Sequence, residues 1–247
     1  METKIKEYKL VPTFGDSFGT GWNVMVDNFL RLFLVAIIMG MIMGPTQLFQ
    51  FNLDKGNFHN LPWNWYDNWE HFFSLASLGM LAAFLGLVAL LYTLLVVPVF
   101  KYGSKMIFVQ ATRRIKPDFE LLVKGFMENY LSIILANLLV AALVIIGLFA
   151  LIVPGIIIGC RLAFVAYIVM DKKVDPIEAV EMSWRLTRGH GWTIFLMGFV
   201  SFFIFILGFC MCFVGVIPAS MWVSSSFATL YQSVLQEKEK PVIEAAA

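Results

Sequence analysis

Charge is scarce in this chain. Only 14% of its 247 residues are Asp, Glu, Lys or Arg, while 60% are hydrophobic; soluble chains carry about 25% charged residues. With a mean hydropathy of +0.79, the composition is that of a membrane protein. A formal net charge of +1 leaves no basic excess for nucleic acid. Histidine is limited to His59, His71 and His190, scattered without metal-ligand spacing. The three cysteines, Cys160, Cys210 and Cys212, lie in apolar stretches and lack the second pair or nearby His of a zinc site. They read as packing thiols. No Walker motif, no Gly-x-Ser-x-Gly and no His-Glu-x-x-His occurs. No apolar segment holds the carboxylate pair usual in proton-coupled transport. The expectation is a non-enzymatic protein with no cofactor, no metal and no nucleic-acid partner. The basic stretch Met1–Lys9 is not followed by an apolar core, so no cleavable signal peptide is expected.

What is present is long apolar runs. A spanning helix needs about 20 mostly apolar residues. Six candidates meet or approach this: Phe29–Phe51, Phe72–Phe100, Leu131–Val153, Gly155–Met170, Trp192–Val216 and Ala219–Val234. The fourth and sixth are short and closely follow Pro154 and Pro218. Proline ends one helix and can open the next, so both read as tight turns between the arms of helical hairpins. Gly40-xxx-Gly44 and Gly155-xxx-Gly159 match the close-packing pattern of membrane helices.

The positive charges are sorted by side. Of 18 Lys and Arg, 16 fall in four groups: Lys4 to Arg31, Lys101 to Lys124, Lys172 to Arg188, and Lys238 with Lys240. Lys55 faces the other side, in an outer loop with Asp54, Asp67 and Glu70; Arg161 lies within an apolar run. The positive-inside rule predicts six spans with both termini cytoplasmic. The outer-loop aromatics Trp63, Trp65, Tyr66 and Trp69 read as headgroup-level anchors.

A weak repeat accompanies the spans. Three amphipathic stretches, starting near Ser17, Asp118 and Asp175, each place a small residue before an aromatic: Gly21-Trp22, Gly125-Phe126 and Ser183-Trp184. Trp22, Phe126 and Trp184 are therefore expected interfacial anchors. Aligning Pro154 with Pro218 aligns Tyr167 with Tyr231 and sets Arg161 against Ser225. The predicted fold is all-α, a single membrane domain over residues 1–247 with six transmembrane helices in three hairpins, each preceded by a cytoplasmic interfacial helix. The pseudo-threefold units run at approximately 12–110, 117–173 and 175–236. In the third lead-in, Asp175 is the expected N-cap, Pro176 the first helical residue, Glu178 the partner in a capping box, and Gly189 the stop. Ile177, Val180 and Trp184 share one face; Glu178, Glu181, Arg185 and Arg188 share another, with Glu181 and Arg185 at pairing distance.

Arg161 is the sharpest signal. Seven residues past Pro154, it lies roughly 10 Å along its helix. A charge there costs several kcal/mol unless paired or hydrated. Candidate partners are helix-end carbonyls, Asn137, the Ser224–Ser226 hydroxyls, or a lipid phosphate. Arg161, Asn137, Ser224 and Ser225 thus form the candidate anion or headgroup contact. The alternative role for Arg161 is structural, binding helices through carbonyls or snorkelling.

The stretch Ile152-Val-Pro-Gly-Ile-Ile-Ile-Gly-Cys-Arg161-Leu-Ala-Phe-Val-Ala-Tyr167, followed by Pro176-Ile-Glu-Ala-Val-Glu-Met-Ser183-Trp184-Arg-Leu-Thr-Arg-Gly189-His190, resembles a group of bacterial polytopic membrane proteins. That group includes the membrane domain of glycerophosphoryl diester phosphodiesterases and related uncharacterised families. The resemblance covers residues 145–195 and is architectural elsewhere. The fused phosphodiesterase domain and its metal ligands are absent here, so that activity is not implied. The resemblance implies a multi-pass protein of the bacterial inner membrane that interacts with lipid or supports a partner, either another membrane protein or a second copy. The alternatives are a transporter or channel for a small anion or lipid, and an enzyme modifying a membrane lipid.

Overall fold

The computed structural model describes residues 10–54, 69–211 and 215–246, which form eleven helices and no strand. The outer-loop residues Lys55, Trp63, Trp65 and Tyr66 lie outside them. The helices are α1 (Phe14–Asp27), α2 (Phe29–Asp54), α3 (Trp69–Leu95), α4 (Val97–Thr112), α5 (Leu121–Glu128), α6 (Tyr130–Ala150), α7 (Ile152–Arg161), α8 (Val165–Lys172), α9 (Pro176–Leu186), α10 (Gly191–Cys210) and α11 (Val216–Ala246).

Four stretches are long and apolar enough to cross a membrane: Ala83–Thr112, Tyr130–Phe149, Ile152–Lys172 and Gly191–Cys210. A fifth exists if α1 and the following Phe29–Gly44, bent by 95°, are counted together. Large side chains on these stretches face outward, with Phe84 62%, Ile146 65%, Phe149 89% and Leu207 67% exposed. Soluble monomers do not expose contiguous apolar area on this scale, so lipid is the solvent of these faces. The result is an all-helical, multi-pass membrane architecture.

The α6–α7 hairpin forms where expected, but its turn precedes the proline. α6 ends at Ala150, a single extended residue, Leu151 (φ −170°, ψ 153°), reverses the chain, and Pro154 falls within the first turn of α7. The close approaches are at the hairpin tips. A Cβ on Gly147 would stand 3.0 Å from the Gly155 Cα, and one on Gly208 would stand 2.8 Å from the Gly215 carbonyl oxygen. Of the two Gly-xxx-Gly patterns, only Gly155 stands at a close approach, where a Cβ would meet the Leu148 backbone nitrogen at 2.9 Å; Gly40, Gly44 and Gly159 have open space where a Cβ would be.

The tight core sits at the opposite end, where α4, α8 and α11 meet. Ile107, Val109, Phe164, Ile168, Leu230, Tyr231 and Val234 are buried there. α11 is too polar to pass as a lipid-facing span, yet much of it is enclosed by protein, packing on α1, α2, α4 and α10. Its hydroxyls turn inward to its own carbonyls: Ser226 Oγ donates to Trp222 O (2.8 Å) and Thr229 Oγ1 to Ser225 O (2.8 Å). Enclosure by protein removes the need for an apolar surface, and internal bonding satisfies these two hydroxyls.

Three short helices brace this end. α1 packs on α11, α5 on α4, and α9 on α8 and α6. α9 begins at Pro176 after extended Asp175, and Gly189 at φ +91° lies just beyond its end. Asp175 makes no side-chain cap bond, so the predicted capping box does not form. α9 packs through Ala179, Ser183 and Leu186; Ile177 is 76% exposed and Trp184 points outward. Glu181 and Arg185 form no ion pair.

Candidate functional site

Arg161 closes α7, and the chain unwinds through Leu162–Phe164 before α8 begins. The break frees the Arg161 carbonyl from its helical partner. α9 satisfies it: Ser183 Oγ donates to it at 2.8 Å and Thr187 Oγ1 at 3.4 Å. Broken spanning helices persist when neighbouring hydroxyls take over the backbone bonds. The Arg161 guanidinium lies over the Trp184 ring, 5.7 Å from its centroid, and its Nη1 is buried without a partner. Arg161 is thus at the depth of α9.

The other candidate residues do not converge on it by hydrogen bonding. Asn137 and Ser224 are half-buried and make no side-chain hydrogen bond among the described residues. Ser225 is fully buried on α11, its Oγ unpartnered.

The three anchor residues share a contact type. Phe126 meets Phe100 of α4 at 5.3 Å and 66°; Trp22 meets Trp222 of α11 at 5.1 Å and 77°; Trp184 meets the planar guanidinium of Arg161. The small residue before each anchor touches the same partner region. A Cβ on Gly125 would stand 2.8 Å from Val99 Cγ1, one on Gly21 2.7 Å from the Ser226 Cα, and Ser183 bonds the Arg161 carbonyl. Trp22 and Trp184 are exposed, whereas Phe126 is half-buried, stacked on Tyr130 at 5.8 Å.

A second cluster joins the three core helices. Arg113, capping α4, donates from Nη1 and Nη2 to both Asp171 oxygens at 2.7 Å each, and from Nε to Gln232 Oε1 at 2.8 Å. The Tyr231 hydroxyl donates to Asp171 Oδ2 at 3.0 Å. The Asp171 hydrogen bond raises the Arg113 pKa despite partial burial. Tyr231 stacks on Tyr167 at 5.1 Å, and the Lys105 ammonium lies 5.1 Å from the Tyr167 centroid. Around the cluster are the ion pairs Lys172–Glu239 at 3.0 Å and Lys173–Glu128 at 2.7 Å, and a contact of His190 Nε2 with a Glu237 carboxylate oxygen at 3.1 Å. The sequence aligns Tyr167 with Tyr231, counts Arg113 only among the Lys101 to Lys124 charges, and does not single out Asp171. The available signal was an acid placed directly after an apolar run.

No group of His, Cys, Asp and Glu able to hold a metal occurs among the described residues. In comparisons with known proteins, no family model, curated protein or solved structure matches the chain.

Proposed function

We propose that the chain is a non-enzymatic, lipid-interacting module of the bacterial inner membrane, in which Arg161 contacts an anionic headgroup. The observation carrying this is Arg161 itself. At the matched positions of the other two joints stand aromatic rings, Phe100 and Trp222, which pack and need no further partner. The guanidinium packs on Trp184 equally well but brings several donors, and its side chain is only half-buried. Arg is suited to phosphate because its planar fork offers several donors at once. The position at α9 depth matches the headgroup level.

In the same reading the fold is three units, each an interfacial helix plus a hairpin, closed into a ring with six spans and both termini cytoplasmic. The three matched joints support it, with α1 on α11 completing the ring. The sixth span is supported by Glu237 and Glu239 of α11, which return to the level of His190 and Lys172. The resemblance of residues 145–195 to the phosphodiesterase membrane domains accords with this architecture. Transport would need a cavity reaching Arg161; the groove on α1 does not include it.

Native mass spectrometry of detergent-extracted protein tests the headgroup contact. Wild type should retain phosphatidylglycerol or cardiolipin, Arg161→Gln should lose it with the fold intact, and Arg161→Lys should retain part. Unchanged lipid retention in Arg161→Gln sinks the reading, and unfolding of both variants makes Arg161 purely structural.

A further inference from the structure

A groove of about 590 Å³ opens beside α1, lined by Gly15, Asp16, Phe18, Trp22, Asn23 and Trp222. Phe18 and Trp22, one helical turn apart on α1, each stand nearly perpendicular to Trp222, at 78° and 77°, with centroids 5.7 and 5.1 Å away. Trp222 is held in place, since its Nε1–H donates to the Phe18 carbonyl at 3.1 Å. Gly15 and Gly19 leave open space where side chains would stand. Asp16, exposed at the rim, accepts a hydrogen bond from the Thr13 hydroxyl and has no ion-pair partner among the described residues.

Trp22, 47% exposed, and the Trp222 ring it meets edge-on line one volume. A cation within about 6 Å of a ring face is attracted by the ring quadrupole, most strongly for Trp. An unpaired carboxylate at the rim adds charge of the matching sign and disfavours anions. We propose that this groove is a binding site for an ammonium group, primary or quaternary, as carried by a zwitterionic lipid headgroup or by a small soluble amine of the choline type. It is independent of the Arg161 reading: it lies at a different joint and selects the opposite charge. Exposed Val26 and Leu30 follow on the same stretch of chain and offer apolar surface for acyl chains.

The test is ¹⁹F NMR of the full chain carrying 5-fluorotryptophan, in phosphatidylglycerol nanodiscs, with resonances assigned through Trp22→Phe and Trp222→Phe. One arm titrates choline, with 3,3-dimethylbutanol as the uncharged isostere; the other adds phosphatidylethanolamine to the discs. The Trp22 and Trp222 resonances should shift saturably with the ammonium and not with the isostere. A response to choline identifies a soluble source, and a response to phosphatidylethanolamine alone identifies lipid. Asp16→Asn and Trp22→Ala, both at exposed positions, should each weaken binding by about tenfold, the upper range for such contacts. Absence of a shift in both arms, equal shifts with the isostere, or undiminished affinity in both variants overturns the proposal.

Discussion

Asp171 shows what a single residue contributes at the junction of α4, α8 and α11. Its side chain is only 7% exposed, and its two oxygens take three hydrogen bonds from Arg113 and Tyr231. Removing one partner of such a pair leaves an uncompensated buried charge, which costs about 3–5 kcal/mol, while replacing both with apolar residues is far milder. Arg113→Met should therefore lower unfolding stability in detergent by about that amount, and Arg113→Met with Asp171→Leu should recover most of it. A double variant as unstable as the sum of the singles would show that the pair is not coupled. Tyr231→Phe, losing one neutral-to-charged bond, should cost about 1.5–3 kcal/mol. Glu128 gives the pH-dependent counterpart on the surface. Its bond to Lys173, with Lys124 nearby, holds its carboxyl below the ordinary glutamate range. The folded state thus binds the proton more weakly, so its stabilisation is complete above the ordinary carboxylate range and fades as pH falls through the depressed value. A ¹³C carboxyl titration should place the Glu128 midpoint below that of an unpaired Glu, and Lys173→Ala should move it back.

At the scale of elements, the joints between short and long helices depend on small residues. A Cβ at Gly21 would meet Ser226 backbone at 2.7 Å, whereas one at Gly19, a half-turn away, meets nothing within 4 Å. Gly21→Ala should destabilise by about 1–3 kcal/mol through overpacking, and Gly19→Ala should not. Thermal unfolding of the two variants separates them; equal losses would mean that helix propensity, not the joint, is being measured. These small-plus-aromatic pairs were legible in the sequence because they recur. The hairpin around residues 147–155 was also legible, from an apolar run too long for one span. Other features were not. The break at Leu162–Phe164 occurs in apolar residues that read as continuous helix, and it holds because Ser183 and Thr187, some twenty residues on, take up the Arg161 carbonyl. The protein-packed face of α9 was not legible in the sequence for a related reason. Ile177 and Trp184 are its most apolar residues, yet beside a membrane the protein-facing side favours small residues and the apolar ones go to lipid. Arg113 and Asp171 were not legible as a pair, because their pairing depends on how α4 and α8 meet.

For the whole molecule, burial is concentrated at one end and lipid-facing apolar surface at the other, and the side on which each end lies can be tested. α10 runs 20 residues away from His190, about 30 Å at helical rise. α11 then runs back far enough for Glu237 to reach His190 and Glu239 to reach Lys172. If the positive-inside rule applies, residues 172–188 and 237–239 share the cytoplasmic side, while Lys55 lies opposite. The measurement is labelling of intact cells with a membrane-impermeant thiol reagent, in a chain whose Cys160, Cys210 and Cys212 are replaced by Ser. Lys55→Cys should label without permeabilisation; Lys173→Cys and Lys238→Cys should label only after it. The pair matters more than either site alone. Because α11 is too polar to be recognised as a span by composition, Lys238→Cys labelled from outside with Lys173→Cys protected would mean that α11 does not cross, leaving five spans and an open ring. Like behaviour of the two sites is the outcome that the His190–Glu237 and Lys172–Glu239 contacts require, because they can form only if α11 traverses the same thickness as α10 and returns; protection of both is what the positive-inside rule adds.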